Sequence, residues 1–169
     1  MQSYDKKIMA RAVGRNLQMS FKATYEVMKF IKGRSIEKSI NMLEEVTELK
    51  RAIPYTRYNR DTPHRRGKIA AGRFPKKVSE QVIVILKSLK ANAENKGLTG
   101  DLTIIHAAAQ KPALRRRAGR VRGLRKHASF EVVATPKVEK KTAKSKPEPK
   151  KTVKPKTETK PKKKVETKK

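Results

Sequence analysis

The sequence predicts an α+β fold in which three helices pack on a small three-stranded antiparallel sheet. Two observations support this prediction. Three segments repeat apolar residues every three or four positions, which is the period of an amphipathic helix. Three other segments, one near the start and two between residues 100 and 135, have extended character. The predicted order is strand, helix, helix, long loop, helix, strand, strand.

The first strand and the first helix are predicted within residues 7–32. Residues 7–19 have extended character, and Arg11 and Arg15 would share one face because side chains four apart do so in a strand. A helix over residues 21–32 follows. Its apolar positions at helical spacing are Phe21, Tyr25, Met28 and Ile31.

The second and third helices are predicted from the same periodicity. The second begins after Ser35 and continues until Pro54 ends it, with an apolar face of Ile36, Ile40, Leu43 and Val46 and with Leu49 close behind. The third follows Pro75, a residue type suited to the first helical turn, and Gly97 ends it. Its apolar face consists of Val78, Val82, Ile85, Leu86, Leu89 and Ala93.

Residues 53–73 form an arginine-rich segment without a consistent period. A structureless stretch this long inside a compact domain is typical of a functional or a disordered segment. Tyr55 and Tyr58 alternate with Arg57 and Arg60, which favours ordering on RNA, where aromatic faces stack on bases. A solvated basic loop is the alternative interpretation.

The charge of the chain is strongly positive and unevenly distributed. The 169 residues carry a formal charge of +30, and residues 136–169 alone hold 15 Lys and 4 Glu. Self-repulsion on this scale destabilises a compact chain unless a polyanion offsets it, which indicates a nucleic-acid partner. Residues 136–169 contain no aromatic residue and five Pro, so they cannot bury enough apolar surface to order on their own. We therefore predict a domain over residues 1–135 and a disordered Lys/Pro-rich tail over residues 136–169.

The motifs of enzymes and metal sites are absent from the sequence. There is no cysteine, no HExxH and no GxxxxGK[ST], and His64, His106 and His127 lack ligand spacing. We expect no catalytic, cofactor-binding or metal-binding residues and no enzymatic activity. No apolar run reaches the roughly 18 residues that a membrane span needs, and the N-terminus lacks the apolar core of a signal peptide. We therefore expect a cytoplasmic protein without a membrane partner.

A basic segment, RRRAGRVRGLRK at residues 115–126, separates the last two predicted strands. Like charges that face each other across strands repel, so such a hairpin destabilises a protein on its own. Among RNA helices, by contrast, each guanidinium group can bind phosphate bidentately or stack on a base. We interpret this segment as the part of the hairpin that enters RNA.

Six stretches of sequence occur in an order that is specific in combination. They are RAVGRNLQMSFK, IKGRSIEKSINMLEEV, AIPYTRYNRDTPHRRG followed by GRFPKK, LKANAENKGL, LTIIHAAA and RRRAGR. Over about residues 11–133 the chain thereby resembles the L twenty-two family of large-ribosomal-subunit proteins, whose eukaryotic relative is L seventeen. The segment at residues 53–73 is similar to the archaeal and eukaryotic branch. The resemblance implies a ribosome-bound structural protein that binds large-subunit rRNA and supports subunit assembly.

The resemblance also implies a long protruding β-hairpin over about residues 102–134 that lines the nascent-peptide exit tunnel beside ribosomal protein L four. Its strands would be residues 102–110 and 120–134. The tunnel-proximal tip would consist of Lys111, Pro112, Ala113, Leu114, Arg115, Arg116 and Arg117. The implied partners are large-subunit rRNA, neighbouring large-subunit proteins and the nascent polypeptide, and no homo-oligomer is expected.

The expected rRNA-binding side chains lie in the first strand and helix, in the arginine-rich segment and in the hairpin. They are Arg11, Arg15, Lys22, Arg57, Arg60, His64, Arg65, Arg66, Lys68, Arg73, Lys111, Arg115, Arg116, Arg117, Arg120, Arg122, Arg125 and Lys126. A chromatin-type DNA-compacting protein is the alternative, because the tail resembles linker-histone tails in composition. We favour RNA because the arginines concentrate in a strand-flanked loop and no predicted helix is strongly basic on one face.

Overall fold

The computed structural model describes residues 4–5, 8–98, 100–113, 115–120 and 123–136. The tail predicted for residues 136–169 lies outside these residues apart from Pro136. Among the expected site residues, Leu114 and Arg122 also lie outside them, and the side chain of Arg115 is not described.

The described part of the chain contains three helices and antiparallel strands, which confirms the α+β prediction. The elements are β1 (Ala10–Leu17), α1 (Phe21–Ile31), α2 (Ile36–Thr47), β2 (Ile53–Pro54), β3 (Gly72–Arg73), α3 (Lys76–Asn95), β4 (Leu102–Gln110), β5 (Arg115–Arg116), β6 (Leu124–Arg125) and β7 (Ala128–Pro136). The main sheet has the order β1-β7-β4, and both of its strand pairs are antiparallel. The other strands form two short ribbons, β2 with β3 and β5 with β6.

The core lies between the main sheet and the three helices. The central strand β7 buries Phe130, and α1 packs on β4 while α3 packs on β1. The helices contribute their apolar faces, for example Met28, Leu43 and Leu86, each at most 1% exposed. Burial of one such side chain is worth about 1.5–3 kcal/mol relative to exposure. These few aliphatic contacts therefore hold together a domain that is otherwise dominated by like charge.

The α2 helix ends earlier than the sequence indicated. It was expected to reach Pro54 with Leu49 near its buried face, but it ends at Thr47, and Leu49 is 52% exposed with a left-handed φ of 64°. The expectation was wrong because the chain turns at this point. The N–H of Leu49 donates to the carbonyl of Val46, and the N–H groups of the next two residues both donate to the carbonyl of Glu45.

Residues 53–73 have a structure of their own, contrary to the expectation of a structureless stretch. β2 pairs with β3 in the register Ile53↔Arg73, and an isolated bridge joins His64 to Ala71. The N–H of Tyr55 also donates to the carbonyl of Ala71 over 2.9 Å. The segment lacks a period because the pairing joins its two ends, which local patterning cannot reveal.

The hairpin agrees with the prediction in its first strand and differs beyond it. β4 coincides with the expected residues 102–110, whereas the second strand, expected at residues 120–134, is divided into β6 and β7. The hairpin continues beyond β4 through the pairing of β5 with β6. A hydrogen bond from the Arg117 N–H to the Gly123 carbonyl (3.0 Å) extends this pairing. The described turn therefore follows at residues 118–120. Residues 111–117, which were expected at the tip, lie on the approach to that turn.

We expect Phe130→Ala to lower the free energy of unfolding by about 3–5 kcal/mol, because it opens a cavity in the centre of the core. Chemical denaturation of the full chain, followed by far-UV circular dichroism, measures this loss. Val84→Ala is the control, since Val84 is 58% exposed and a surface truncation changes stability by only about 0.5 kcal/mol. Equal effects of the two substitutions would contradict the assignment of Phe130 to the core.

Candidate nucleic-acid interface

A buried carboxylate, Glu26, connects α1 to the loop that follows β2. Its side chain is 1% exposed. Glu26 Oε1 accepts hydrogen bonds from the N–H groups of Arg57 and Tyr58, both over 2.8 Å. Oε2 accepts from the N–H and from the hydroxyl of Thr56, both over 3.2 Å. A buried charge is tolerated only when it is paired or hydrogen-bonded, and here both oxygens are.

These hydrogen bonds determine the charge state of Glu26. Burial alone would raise the pKa of this carboxyl, because a poorly solvated site disfavours the charged form. The backbone N–H groups of Tyr58, Thr56 and Arg57 and the Thr56 hydroxyl outweigh burial and hold the pKa of Glu26 below its ordinary value. Glu26 is therefore an anion that anchors a basic loop through the loop's backbone.

The anchored loop places cationic groups against aromatic rings. The guanidinium carbon of Arg57 lies 5.2 Å from the ring centroid of Tyr25 and 5.7 Å from that of Tyr58. Lys22 Nζ lies 5.8 Å from the Tyr58 centroid. Distances of up to about 6 Å give a favourable cation–π attraction. A side-chain hydrogen bond with Tyr25 is the main reason that the pKa of Arg57 is raised above its ordinary value. The rings of Phe21 and Tyr25 meet Tyr58 edge to face, so the aromatic cluster supports the cations.

Tyr55 does not have the role that the sequence suggested. It was expected to stack on RNA, but the residue is only 7% exposed, so its ring is not available to a base. Burial raises the pKa of Tyr55, and the nearby Arg73 partly opposes this. The guanidinium carbon of Arg73 lies 5.8 Å from the Tyr55 centroid, and its Nη2 donates to the carbonyl of Asp61 over 3.2 Å.

Two adjoining grooves gather many of the expected side chains. The first, which we call the loop groove, has a volume of about 560 Å³. Its cationic lining consists of Lys22, Arg57, Arg60, Arg73 and Lys126. The second, the hairpin groove, has a volume of about 610 Å³. Its cationic lining consists of Lys77, Arg117, Arg125 and Lys126.

Arg11 and Arg15 lie apart from these grooves, on the exposed positions of β1. Arg11 Nε is 2.7 Å from Glu131 Oε1 on β7, and its guanidinium carbon is 5.7 Å from the centroid of Tyr4. This arginine is therefore already held within the protein. Arg11 was expected from the sequence to bind rRNA, and its ion pair within the protein was not expected.

The other expected rRNA-binding side chains are exposed and line neither groove. Those that the structure describes are His64, Arg65, Arg66, Lys68, Lys111, Arg116 and Arg120. Arg65 is partly held by the protein, because its Nε donates to the Gly72 carbonyl over 3.3 Å and its guanidinium carbon lies 5.3 Å from the centroid of Phe74.

Within the described residues, no three His, Asp or Glu side chains come together in a way that could hold a metal ion. No helix in the same part of the chain is long and apolar enough to cross a membrane.

The comparison with protein families decides the classification. A family model described as ribosomal protein L22p/L17e matches residues 12–129. The chain belongs to this family. The match includes most of β1, the three helices, β4, both short ribbons and the start of β7. Members of the L22p/L17e family are structural ribosomal proteins, so the prediction of a non-enzymatic protein is confirmed.

Curated relatives agree with the assignment to the archaeal and eukaryotic branch of the family. The chain is 44% identical over 110 residues to large ribosomal subunit protein uL22 of Archaeoglobus fulgidus, covering 63% of this chain and 71% of the relative. It is also 44% identical to uL22 of Methanococcus aeolicus, covering 60% and 69%, and of Thermofilum pendens, covering 60% and 68%. The resemblance inferred from the sequence is thereby confirmed.

Glu26 and Lys77 are the site residues that the sequence interpretation missed. Glu26 is the only acidic residue between Lys6 and Ile36, and that isolation was an available signal. Lys77 had no comparable signal, because a lysine in the first turn of a helix is usually a solvated side chain. Only the folded arrangement brings Lys77 next to the hairpin ribbon.

We expect Glu26→Gln to lower the free energy of unfolding by about 1–3 kcal/mol, because a neutral amide leaves backbone donors without an acceptor. Chemical denaturation of the full chain measures the change. The matched control is Glu37→Gln, since Glu37 forms an exposed ion pair with Lys90 and such pairs contribute only about 0–1 kcal/mol. An effect of Glu26→Gln no larger than that of the control would show that the carboxylate does not anchor the loop.

The stabilisation by Glu26 should also depend on pH. The folded-state pKa lies below the ordinary value of 4.5, so the unfolded chain binds a proton more readily at this residue. The stabilisation is therefore complete above about pH 4.5 and is lost as the pH falls through the folded-state pKa. Stability measured against pH should fall less steeply in Glu26→Gln than in the wild type over this range, and parallel curves would contradict the depressed pKa.

Proposed function

We propose that the chain acts as a structural constituent of the large ribosomal subunit and binds large-subunit rRNA through the loop groove, the hairpin groove and the basic hairpin. The family match over residues 12–129 carries this conclusion, because it spans all three surfaces. The relatives that the chain matches are named as large-subunit proteins. A member of this family is bound to ribosomes in the cytoplasm.

The charges of the described residues support an RNA partner. The ion pairs found there are Arg11–Glu131, Lys50–Glu48, Arg51–Glu45, Arg60–Asp61 and Lys90–Glu37. They leave most of the cations of the domain without an acid, and a polyanion must offset the resulting repulsion. Large-subunit rRNA supplies that charge. The DNA-compacting alternative has no support from the family or from the relatives.

The hairpin is the part that we propose to line the nascent-peptide exit tunnel. Its β5–β6 ribbon extends past the end of β4, and the side chains of Arg116, Arg117 and Arg120 are exposed along it. An exposed arginine-rich ribbon is unfavourable in water and favourable between RNA helices, where each guanidinium can bind phosphate. In this proposal the turn at residues 118–120 faces the tunnel, next to other large-subunit proteins. The lysines of residues 136–169 add charge neutralisation that needs no defined geometry.

Sedimentation of a cell lysate through a sucrose gradient tests the ribosomal assignment. We expect the chain to sediment with large subunits and to remain there at moderate salt. Replacement of Arg116, Arg117 and Arg120 by Ala should reduce this association and its dependence on salt concentration, because counterions are released at each phosphate contact. Recovery with chromosomal DNA and not with large subunits would contradict the proposed function.

Crosslinking to a nascent chain tests the tunnel proposal. The chain contains no cysteine, so Ala118→Cys provides a unique position for a photoreactive group near the turn. We expect this group to crosslink nascent polypeptides on translating ribosomes. The control is Lys38→Cys on α2, which should give no such product. Ribosomes that carry the Ala118→Cys protein and yield no crosslinks would place the turn outside the tunnel.

A further inference from the structure

The loop groove and the hairpin groove meet each other. Ser20 and Lys126 line both of them. Ser20 immediately precedes α1, and Lys126 follows β6. The two cavities therefore adjoin each other at these two residues. We call the two together the joined groove, which extends from the loop after β2 to the ribbon of the hairpin.

We infer that this joined groove binds one continuous single strand of RNA through its phosphodiester backbone, and that Lys77 and Lys126 are phosphate-binding residues within it. The inference rests on the proposed function, because it takes large-subunit rRNA as the source of the strand. It adds that two surfaces far apart in sequence contact the same RNA segment.

The charge of the joined groove matches a chain of phosphates. Cationic side chains line it from the loop side to the hairpin side, and the acidic side chain in its lining is Asp61. Asp61 Oδ2 lies 3.8 Å from Arg60 Nε, and both side chains are at least 90% exposed, so this pair is strongly screened by water. A polyanion with regularly spaced charges fits such a surface better than a small anion does.

The aromatic rings in the groove indicate contact with the backbone and not with bases. Tyr55 and Tyr58 are the aromatic residues of the lining. Tyr58 carries the cationic groups of Lys22 and Arg57 near its ring, and Tyr55 is buried. A cation already lies within about 6 Å of the centroid of each ring. The cations that the rings hold are exposed to the groove instead, where they can contact phosphates.

The shape favours a single strand over a duplex. Proteins that bind single-stranded nucleic acid use a positively charged groove that follows the backbone. The joined groove is recessed and receives side chains from the loop, from the starts of α1 and α3 and from the hairpin ribbon. An RNA duplex presents a convex cylinder, which would contact only the rims of such a groove.

Directed hydroxyl-radical cleavage tests the continuity of the strand. Because the chain lacks cysteine, Arg60→Cys, Lys126→Cys and Lys77→Cys each give one attachment point for an iron chelate, and all three positions are exposed. In assembled large subunits we expect the three probes to cleave one contiguous rRNA segment, with the cuts from Lys126→Cys between those from the other two. The control Lys38→Cys, on the exposed face of α2, should not cut this segment.

Each outcome of that experiment decides one question. Cuts in unconnected rRNA segments from Arg60→Cys and Lys77→Cys, or the same cuts from Lys38→Cys, would overturn the single-strand inference and leave the ribosomal function intact. Absence of the wild-type chain from large subunits would instead overturn the proposed function.

Affinity measurements give a second, independent test. For a single-stranded uridine homopolymer, Lys77→Ala/Lys126→Ala should reduce the slope of log affinity against log salt by about 1.4, since each phosphate contact contributes about 0.7. Lys38→Ala/Lys87→Ala removes the same charge from exposed positions that line neither groove and should change the slope less. The wild type should bind adenosine and uridine homopolymers similarly, because cations already lie against both rings of the groove. Equal slopes for the two double variants, or a strong preference for adenosine, would contradict the inference.

Discussion

The hydrogen bonding of one carboxylate, Glu26, is the interaction on which the arrangement of the site depends. The residue projects from α1 towards three backbone N–H groups of the loop that follows β2, those of Thr56, Arg57 and Tyr58. Because Glu26 accepts from all three, together with a hydroxyl, the loop needs no RNA to adopt its conformation at Thr56, Arg57 and Tyr58. An acid thus organises a basic surface through the loop's backbone, and the side-chain cations remain available to a partner.

Several cationic side chains are held in one of two ways, by an ion pair within the protein or by contact with an aromatic ring. Some cations are neutralised within the protein, as Arg11 is by Glu131. Others lie against rings, as Arg57 does against Tyr25, which orients a cation without neutralising it. Among the described side chains of the β5–β6 ribbon, Arg116 and Arg125 are exposed and have neither an ion pair nor a contact with an aromatic ring. This difference between the domain and the hairpin is expected if the domain must fold before it binds RNA. The hairpin, by contrast, would be stabilised by the RNA around it.

The parts of the fold that depend on local patterns could be predicted from the sequence. The periodicity of α1 and α3 gave their positions because an apolar stripe must face the core. The bounds of β4 were also correct, but they came from the family resemblance. The same reasoning failed at Leu49, where carbonyl groups of the preceding turn stop the helix before its apolar pattern ends. It also failed for β2 and β3, whose pairing joins residues about twenty positions apart.

Some features of the candidate site could likewise be predicted from the sequence, whereas others could not. Composition was enough to indicate a nucleic-acid partner, since charge does not depend on the fold. The placement of the arginines along the sequence then favoured RNA. The roles of individual residues did depend on the fold. Tyr55 is buried, and Arg11 forms an ion pair with Glu131. Lys77 is distant from the hairpin ribbon in sequence and lies next to it only in the folded protein. The family match supports the general function, and the geometry brings cations from distant parts of the sequence into two adjoining grooves.

We propose that Glu26 holds the RNA-binding loop in its conformation before RNA is present. Amide hydrogen exchange on the free full-length chain measures this. We expect the N–H groups of Arg57 and Tyr58 to be protected from exchange without RNA and to lose this protection in Glu26→Gln, while the amides of α3 remain protected in both proteins. Exchange of these two amides at the rate of an unstructured chain, with protection only after rRNA is added, would show that Glu26 does not have this role.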